Sequence, residues 1–304
     1  MVRSAGGSRN LCTVWPQVLA LKSGHDGPSF DTVPTVADGA AFMGAAFMNC
    51  NAIILAAGRG ERMRPLTDHC PKPLLQVYGK PLMQWPLEAL ARAGVQDVMV
   101  NTAWLGAQIA QCFGERFTPA AAQHAGAAEA DPCHGVVRMH YSDEGRDFGA
   151  ALETAGGIVR VLPQLADPFW VLAGDVYAPD FTFSSAALES FRSSGKLAQI
   201  WLVPNPPHNP DGDFGLTDDG LASNEGPLRQ TYSTIGLYRH ALFAPPYSDI
   251  AAGNPQGTRA PLAPILRTAI RQGLVSARRY TGRWVDVGTP ERLAQLNQTP
   301  DFRA

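Results

Sequence analysis

Hydrophobic and polar positions follow two kinds of repeat from Met48 onward. Short, wholly apolar runs predict buried strands, and longer segments with apolar residues three or four positions apart predict amphipathic helices. The predicted strands cover residues 53–57, 98–101, 136–141, 169–173, 198–203 and 228–238. The predicted helices cover residues 81–93, 105–113, 152–162, 184–193 and 262–271. Strands and helices therefore alternate along most of the chain.

This alternation predicts an α/β fold. Strands that are linked by helices build a parallel sheet, and the linking helices cover both of its faces. We expect a Rossmann-like, mostly parallel sheet that binds ligands outside the carboxyl ends of its strands. Pro, Asn, Gly and Asp dominate residues 204–215, and one strand and one helix are predicted beyond them. The C-terminal third is therefore expected to form a smaller α+β lobe folded over the sheet.

Composition suggests the domain boundaries. Residues 1–47 are rich in Gly, Ala, Ser and Pro without a sustained repeat, so we expect a disordered N-terminal extension, or a mis-assigned start with Met48 as the true initiator. The folded domain is expected to cover residues 48–298, followed by a tail at 299–304. Residues 119–135 are rich in Ala, which predicts a surface insertion.

Charge and cysteine content narrow the classes of partner. The 304-residue chain has a net charge of −2, which offers no general attraction to nucleic acid or to an anionic membrane. No apolar run reaches the ~18 residues of a membrane-spanning helix.

The N-terminus and the cysteines bear on the compartment. The apolar patch 11–21 is interrupted by Pro16 and Gln17, so we expect no signal peptide. The five cysteines form no C-x-x-C pair, which favours a reducing cytoplasm over a disulfide framework or a zinc site.

The first predicted strand ends in a loop rich in small residues. Gly58 and Gly60 allow successive backbone N–H groups to approach phosphate oxygens. Arg62 and Arg64 can fork onto phosphate, and Lys72, held between two prolines, offers a point charge. The loop is neither a P-loop nor a G-x-G-x-x-G fingerprint. Taken singly, these features have alternatives in a tight turn, solvated arginines and a stiff surface loop.

Two aspartates are candidates for a magnesium site. Asp175 follows the predicted strand 169–173, at the sheet edge where a carboxylate can hold Mg²⁺. Asp286 lies between apolar residues and is followed closely by a glycine. Meeting on one Mg²⁺, the two would hold it against a phosphate under in-line attack. The alternatives are a turn or N-cap role for Asp175 and a salt bridge of Asp286 with Arg283 or Arg279.

These motifs resemble the signature of the sugar-1-phosphate nucleotidylyltransferases. The signature is carried by Leu-Ala-Ala-Gly-x-Gly-x-Arg-Met-x-Pro-Leu-Thr at 55–67 and Pro-Lys-Pro-Leu at 71–74, and the resemblance extends from 48 to 296. It implies the nucleotide-diphospho-sugar transferase fold, with the C-terminal lobe binding a sugar. It also implies that a nucleoside monophosphate moves from a nucleoside triphosphate to a sugar 1-phosphate, with Mg²⁺ as cofactor and pyrophosphate as leaving group.

Four further segments, at 101–106, 152–157, 212–216 and 284–289, most resemble one branch of this family. That branch transfers UMP from UTP to N-acetylmuramate 1-phosphate in peptidoglycan recycling. The implied partners are UTP and this sugar phosphate, and the oligomeric state stays open. The alternatives are glucose 1-phosphate with dTTP or UTP, and mannose 1-phosphate with GTP. An alternative of another class is a non-catalytic sensor of nucleotide sugars.

The resemblance also implies roles for individual residues. Catalytic roles fall on Arg62, Lys72 and Asp175, and the metal ligands would be Asp175 and Asp286. The nucleotide would be bound by Leu55, Ala56, Ala57, Gly58, Arg59, Gly60, Glu61, Arg62, Lys72, Asn101, Gly157 and Gly174. The sugar would be contacted by Glu153, Asp213, Gly215 and Thr234. No nucleophilic side chain is expected, because the sugar phosphate is already ionised near neutral pH.

Overall fold

A central sheet of eight strands organises the part of the chain that the computed structural model describes, which is residues 49–119, 135–226 and 228–299. The strands, including short ones outside this sheet, are β1 (Cys50–Ala56), β2 (Gln76–Val77), β3 (Lys80–Pro81), β4 (Asp97–Thr102), β5 (Arg116–Phe117), β6 (Val137–Asp143), β7 (Leu165–Ala173), β8 (Val176–Tyr177), β9 (Ala198–Val203), β10 (Gly215–Leu216), β11 (Ala222–Ser223), β12 (Thr231–Tyr238), β13 (Val275–Arg279) and β14 (Val285–Asp286). The α-helices are α1 (Gln84–Arg92), α2 (Gly106–Phe113), α3 (Glu144–Phe148), α4 (Glu153–Val161), α5 (Ser185–Ser193), α6 (Leu262–Arg271) and α7 (Pro290–Gln298). The expectations for residues 1–47, for most of the insertion and for residues 300–304 lie outside the described residues.

The sheet has the strand order β13-β9-β12-β7-β1-β4-β6-β5 and is mostly parallel. β1 pairs in parallel with β4 on one side and with β7 on the other. The pairs β4–β6 and β9–β13 are also parallel, whereas β12 runs antiparallel between β7 and β9. The carboxyl ends of β1, β4 and β7 therefore share one edge. The chain leaves β1 toward β4 and later returns on the other side of β1, which makes this edge a topological switch point.

Helices cover both faces of the sheet. Alternate residues of β1 point to opposite faces, so Ile53 packs in the apolar cluster that contains α4 and α6, and Ile54 in the cluster that contains α1, α2 and α5. In α6, the buried residues lie three and four positions apart, as the sequence predicted. The expected α/β architecture is thus confirmed. No described helix is long and apolar enough to span a bilayer.

The C-terminal third contributes two strands to the central sheet. β12 inserts between β7 and β9, and β13 forms an edge beside β9. Ile235 and Leu237 of β12 are almost fully buried, so the strand belongs to the core. The β10–β11 hairpin is a separate two-stranded sheet. This region is therefore more integrated with the sheet than its change in composition indicated.

The loop of residues 57–67 that follows β1 is called the Gly-rich loop. A third apolar cluster packs this loop against the C-terminal segment. Met63 of the loop is fully buried together with Tyr177 of β8 and Val287, which follows β14. Leu293 and Leu296 add the apolar side of α7. Since β14 pairs with β8, the segment that contains Asp286 lies beside the segment that follows Asp175. The cluster thus brings three distant parts of the chain to the carboxyl edge of the sheet.

Candidate active site

Two adjoining cavities lie at the carboxyl edge of β1, β4 and β7. The smaller cavity has a volume of about 240 Å³ and the larger one about 650 Å³. Leu55, Gly58 and Asp175 line both. The two cavities therefore meet where β1 and β7 end, at the switch point of the sheet.

The Gly-rich loop forms one wall of the smaller cavity. Its fold depends on Gly60, whose φ of 69° lies in the left-handed region that glycine adopts without strain. The Thr67 hydroxyl donates a hydrogen bond of 2.8 Å to the Gly60 carbonyl oxygen and closes the loop. The remaining lining comes from Ala56, Glu61, Arg62, Met63, Lys72, Pro73 and Gly288.

The arginines of the loop differ in what they contact. Arg62 is exposed, lines the smaller cavity and has no hydrogen-bond or ion-pair partner within the described residues. Arg59 instead donates to the Thr67 carbonyl oxygen at 2.8 Å and lies 3.6 Å from the Trp104 ring centroid. Arg64 pairs with Asp68 at 2.7 Å. The guanidinium of Arg62 is thus available to an anion, and that of Arg59 stabilises the loop.

Lys72 brings the two predicted aspartates together. Its side chain is 9% exposed, and its Nζ lies 2.6 Å from Asp175 Oδ2 and 3.9 Å from Asp286 Oδ1. Asp175 sits in the turn between β7 and β8. Arg292 Nη1 donates to Asp286 Oδ2 at 2.8 Å. The two carboxylates therefore converge on one buried cation, although 103 positions separate Lys72 from Asp175.

The salt bridge considered for Asp286 with Arg283 or Arg279 does not form. Arg283 pairs with Asp180 at 2.6 Å, and Asp286 is held by Arg292 from the first turn of α7. His208 Nε2 lies 3.3 Å from the same Asp286 oxygen. Sequence reasoning missed Arg292 because α7 was not predicted.

A buried hydrogen-bond chain connects the Gly-rich loop to α4. The Ala56 amide donates to Asn101 Oδ1 at 2.9 Å, and Asn101 Nδ2 donates to Glu144 Oε1 at 2.8 Å. The Leu152 amide donates to Glu144 Oε2 at 2.7 Å. Glu144 is fully buried, and burial raises the pKa of its carboxyl. Gly157 leaves room for these hydrogen bonds, because a Cβ at this position would lie 2.5 Å from Glu144 Oε1.

Glu144 did not figure among the sequence candidates. A signal was present, because Glu144 closely follows a predicted strand, as Asp175 does, and Asn101 is the last residue of another. Polar residues at strand ends of a parallel sheet meet at one edge, so this position could have been included.

Two residues that line the larger cavity have unusual backbone conformations. Glu153 has a φ of 62° and Thr234 a φ of 64°, in the left-handed region that non-glycine residues rarely adopt. For a β-branched residue such as Thr234 this conformation is strained, and strain of this kind clusters at functional sites. Asp213 lines the same cavity and accepts a hydrogen bond of 2.8 Å from the Tyr232 amide.

Most of the predicted site residues line these cavities. They are Leu55, Ala56, Ala57, Gly58, Gly60, Glu61, Arg62, Lys72, Asn101, Glu153, Asp175, Asp213 and Thr234. Asp286 reaches the site through Lys72. Arg59, Gly157, Gly174 and Gly215 are not among the lining residues. The ligand contacts of all these residues stay predictions.

Phe214, Tyr232 and Arg267 also line the larger cavity and were not among the sequence candidates. Arg267 lies on the predicted helix 262–271, but no local motif marks it, and its place in the cavity is seen only in the folded structure.

A family model described as nucleotidyl transferase matches residues 51–300. The chain therefore belongs to the nucleotidyl transferase family, and the predicted class of enzyme is confirmed.

Among its relatives is a protein of Neisseria meningitidis serogroup B (strain ATCC BAA-335 / MC58) named N-acetylmuramate alpha-1-phosphate uridylyltransferase. It is 44% identical over 252 residues, which cover 80% of this chain and 95% of that protein. A UTP--glucose-1-phosphate uridylyltransferase of Synechocystis sp. is 32% identical, over 78% of this chain and 60% of that protein. A crystal structure from Bacillus anthracis, described as a glucose-1-phosphate thymidylyltransferase in complex with a sucrose, shares the fold. Its TM-score is 0.61 at 20% identity, with 83% of this chain and 95% of that chain covered.

Proposed function

We propose that this chain transfers UMP from UTP to N-acetylmuramate 1-phosphate and releases pyrophosphate, as a step of peptidoglycan recycling. The observation that carries this proposal is the 44% identity to the Neisseria relative over 95% of that protein's length. Relatives named for glucose 1-phosphate and mannose 1-phosphate are 32% and 28% identical. The product would be UDP-N-acetylmuramate, and the use of UTP favours a cytoplasmic location.

The smaller cavity is the proposed site for the triphosphate. Its wall contains the small residues Ala56, Gly58 and Gly60, and small residues permit close approach of phosphate oxygens to the backbone. Arg62 supplies a guanidinium that the described protein residues leave unpaired. Arg62 lines this cavity and would hold the phosphates of UTP.

Asp175 and Asp286 are the proposed ligands of Mg²⁺. They fit this ion, because Mg²⁺ is usually held by one or two carboxylates together with phosphate oxygens and water. Within the described residues, no group of three or more His, Cys, Asp or Glu side chains could hold a metal, so substrate oxygens would complete the coordination. When bound, Mg²⁺ would neutralise charge on the α-phosphate.

Lys72 is the proposed cation for the reacting phosphates. An oxygen of the sugar phosphate forms a bond to the α-phosphorus of UTP, and the bond from that phosphorus to the bridging oxygen breaks. The electron pair leaves with pyrophosphate. The buried Lys72 ammonium beside Asp175 can stabilise the charge that is shared during this step. Positioning and electrostatics thus replace a nucleophilic side chain.

The larger cavity is the proposed site for uridine and the sugar. Asn101 accepts a hydrogen bond from the Ala56 amide, next to the Gly-rich loop, and is a proposed contact of the nucleotide. Glu153, Asp213 and Thr234 are the proposed sugar contacts. A volume of about 650 Å³ falls within the range of pockets that hold small ligands.

A substrate panel tests this function. The purified chain is incubated with Mg²⁺, with UTP, dTTP or GTP, and with the 1-phosphates of N-acetylmuramate, glucose and mannose, while pyrophosphate is measured. We expect the highest kcat/KM for UTP with N-acetylmuramate 1-phosphate. A preference for glucose 1-phosphate would refute this substrate assignment. Binding without pyrophosphate release from any pair would instead support the nucleotide-sugar sensor.

A further inference from the structure

Arg267 is a cation of the larger cavity whose guanidinium has no hydrogen-bond or ion-pair partner among the described residues. It is half-buried on α6, and its guanidinium carbon lies 5.1 Å from the centroid of the Phe214 ring. Its side chain makes no hydrogen bond or ion pair with any described residue. Within the described chain it is also the only Lys or Arg that lines this cavity. A partly desolvated guanidinium in a ligand cavity favours an anionic partner.

The carboxylates that line the same cavity have other partners. Glu153 lies 3.5 Å from Arg259, and Asp175 lies 2.6 Å from Lys72. Asp213 accepts hydrogen bonds from the Tyr232 amide and from Asn209. Phe214 supports the Arg267 charge by a cation–π contact, which keeps the guanidinium in place without neutralising it. The charge of Arg267 is therefore available to the ligand.

We propose that Arg267 binds the carboxylate of the muramate lactyl group and thereby selects N-acetylmuramate 1-phosphate over sugar 1-phosphates without a carboxylate. This inference rests on the proposed function. N-acetylmuramate 1-phosphate carries two anionic groups, a phosphate and a carboxylate on its lactyl ether. The phosphate must reach Lys72 and Asp175 where the cavities meet, but Arg267 lines the larger cavity alone. The carboxylate is the anionic group that remains for Arg267.

The test compares N-acetylmuramate 1-phosphate with N-acetylglucosamine 1-phosphate, which lacks the lactyl group. N-acetylglucosamine 1-phosphate is assayed as a substrate, or as a competitive inhibitor where its turnover is slow. Arg267→Gln should lower kcat/KM for the muramate compound by about tenfold to a hundredfold, the usual effect of losing a charge-assisted hydrogen bond. For N-acetylglucosamine 1-phosphate, kcat/KM or the inhibition constant should change by less than about twofold, and so should KM for UTP. Arg267→Lys should recover part of the loss, since it restores the charge but not the planar fork.

Arg271→Gln is the matched control, because Arg271 lies one turn further along α6, is exposed and contacts Thr268. Its kinetics should equal those of the wild type. Circular dichroism and UTP binding confirm that each variant folds.

An equal loss for both sugar phosphates, a raised KM for UTP, or unchanged kinetics in Arg267→Gln would each overturn the assignment of Arg267. A wild-type chain that uses N-acetylglucosamine 1-phosphate but not the muramate compound would instead overturn the proposed function, and the inference with it.

Discussion

Lys72 shows why a motif lysine can be buried at this site. A buried ammonium is costly unless carboxylates compensate its charge, and Asp175 and Asp286 provide that compensation here. When phosphates bind, the same cation would face their oxygens, and the aspartates would become available for Mg²⁺. The side chains that compensate each other's charge in the structure are thus those that the proposed reaction needs.

Asp175→Asn should abolish turnover while the chain still folds, because Asp286 continues to compensate the Lys72 charge. Asparagine keeps an oxygen that can accept the hydrogen bond from Lys72 but removes the charge that would hold Mg²⁺. We expect kcat to fall by at least about a hundredfold, the scale of losing one electrostatic group of a transition state. Pyrophosphate release gives kcat, and thermal unfolding reports the fold.

Asp180→Asn is the control for this variant, because Asp180 pairs with Arg283 and lines neither cavity. It should retain wild-type kcat. Near-wild-type turnover in Asp175→Asn would contradict a role for Asp175 in catalysis.

Glu144 should make the stability of the fold depend on pH in a defined direction. Burial raises the pKa of its carboxyl above the ordinary 4.5, so the native state binds the proton more readily than the unfolded chain. Its contribution to stability is therefore complete below pH 4.5 and is lost as pH rises through the raised pKa. Glu144→Gln cannot titrate. The free energy of unfolding of this variant, minus that of the wild type, should increase as pH is raised from 4.5 to neutrality.

Urea unfolding of both proteins across this pH range measures that difference, in which the other carboxylates largely cancel. A difference that is constant or decreases with pH would contradict the raised pKa. Because the glutamine amide can accept from only one of its two partners, Asn101 or Leu152 would lose an acceptor.

The Gly-rich loop contains two glycines that have different tasks. Gly60→Ala places a side chain at a φ of 69° and a Cβ 3.0 Å from Thr67 Cγ2. It should lower the free energy of unfolding by about 1–2 kcal/mol, the cost of a left-handed backbone for alanine. Gly58→Ala places its Cβ where no atom lies within 4 Å, but on the wall of both cavities. It should leave stability unchanged and raise KM for UTP.

Chemical unfolding and initial rates separate these two effects. The reverse pattern, with Gly58→Ala unstable and Gly60→Ala unaffected, would contradict the left-handed conformation of Gly60.

The elements that the sequence predicted are those with long apolar repeats. The predicted helix 262–271 is α6, because its apolar residues recur at every turn. β13 ends in two exposed arginines, and α7 buries only Leu293 and Leu296, so neither has a repeat strong enough to predict. Short strands such as β14 depend on their pairing partner, which a local pattern does not contain.

The same distinction applies to the site. The sequence could predict the Gly-rich loop, Lys72 and the two aspartates, Asp175 and Asp286. Local motifs carry these residues, and strand ends place them at one edge of the sheet. Glu144 also follows a predicted strand and could have been included, but neither its burial nor the position of Arg267 in the cavity follows from a local motif. Whether a charged residue is exposed or lines a cavity depends on packing partners that are distant in sequence, such as Asn101 for Glu144 and Phe214 for Arg267.

At the scale of the whole molecule, the residues that line the site are spread over most of the described sequence. Leu55 and Gly288, which line the smaller cavity, lie near the two ends of the segment 51–300 that matches the family. β12 and β13 complete the sheet on which the first half of the site depends. A division into a nucleotide half and a detachable sugar lobe would therefore cut through the core, and the catalytic segment should act as a single folding unit.

We expect a chain that starts at Met48 to keep the stability and the kinetics of the full chain. The described residues from Asn49 onward belong to one compact unit, and the family match begins at residue 51. All the contacts described for the site lie at or beyond Cys50. Thermal unfolding and kcat/KM for both substrates, measured on the full and the shortened chain, test this. As the contrasting variant, a chain that starts at Ile53 loses Cys50 and Ala52, which are fully buried, and should fail to fold.

A loss of activity in the chain that starts at Met48 would assign a role to residues 1–47 and contradict the expectation that Met48 is the initiator. If activity is kept, the N-terminus of the protein isolated from its native host decides between the two expectations for residues 1–47. A start at Met48, detected by mass spectrometry, means that translation begins there, whereas peptides from residues 1–47 mean that the extension is part of the protein.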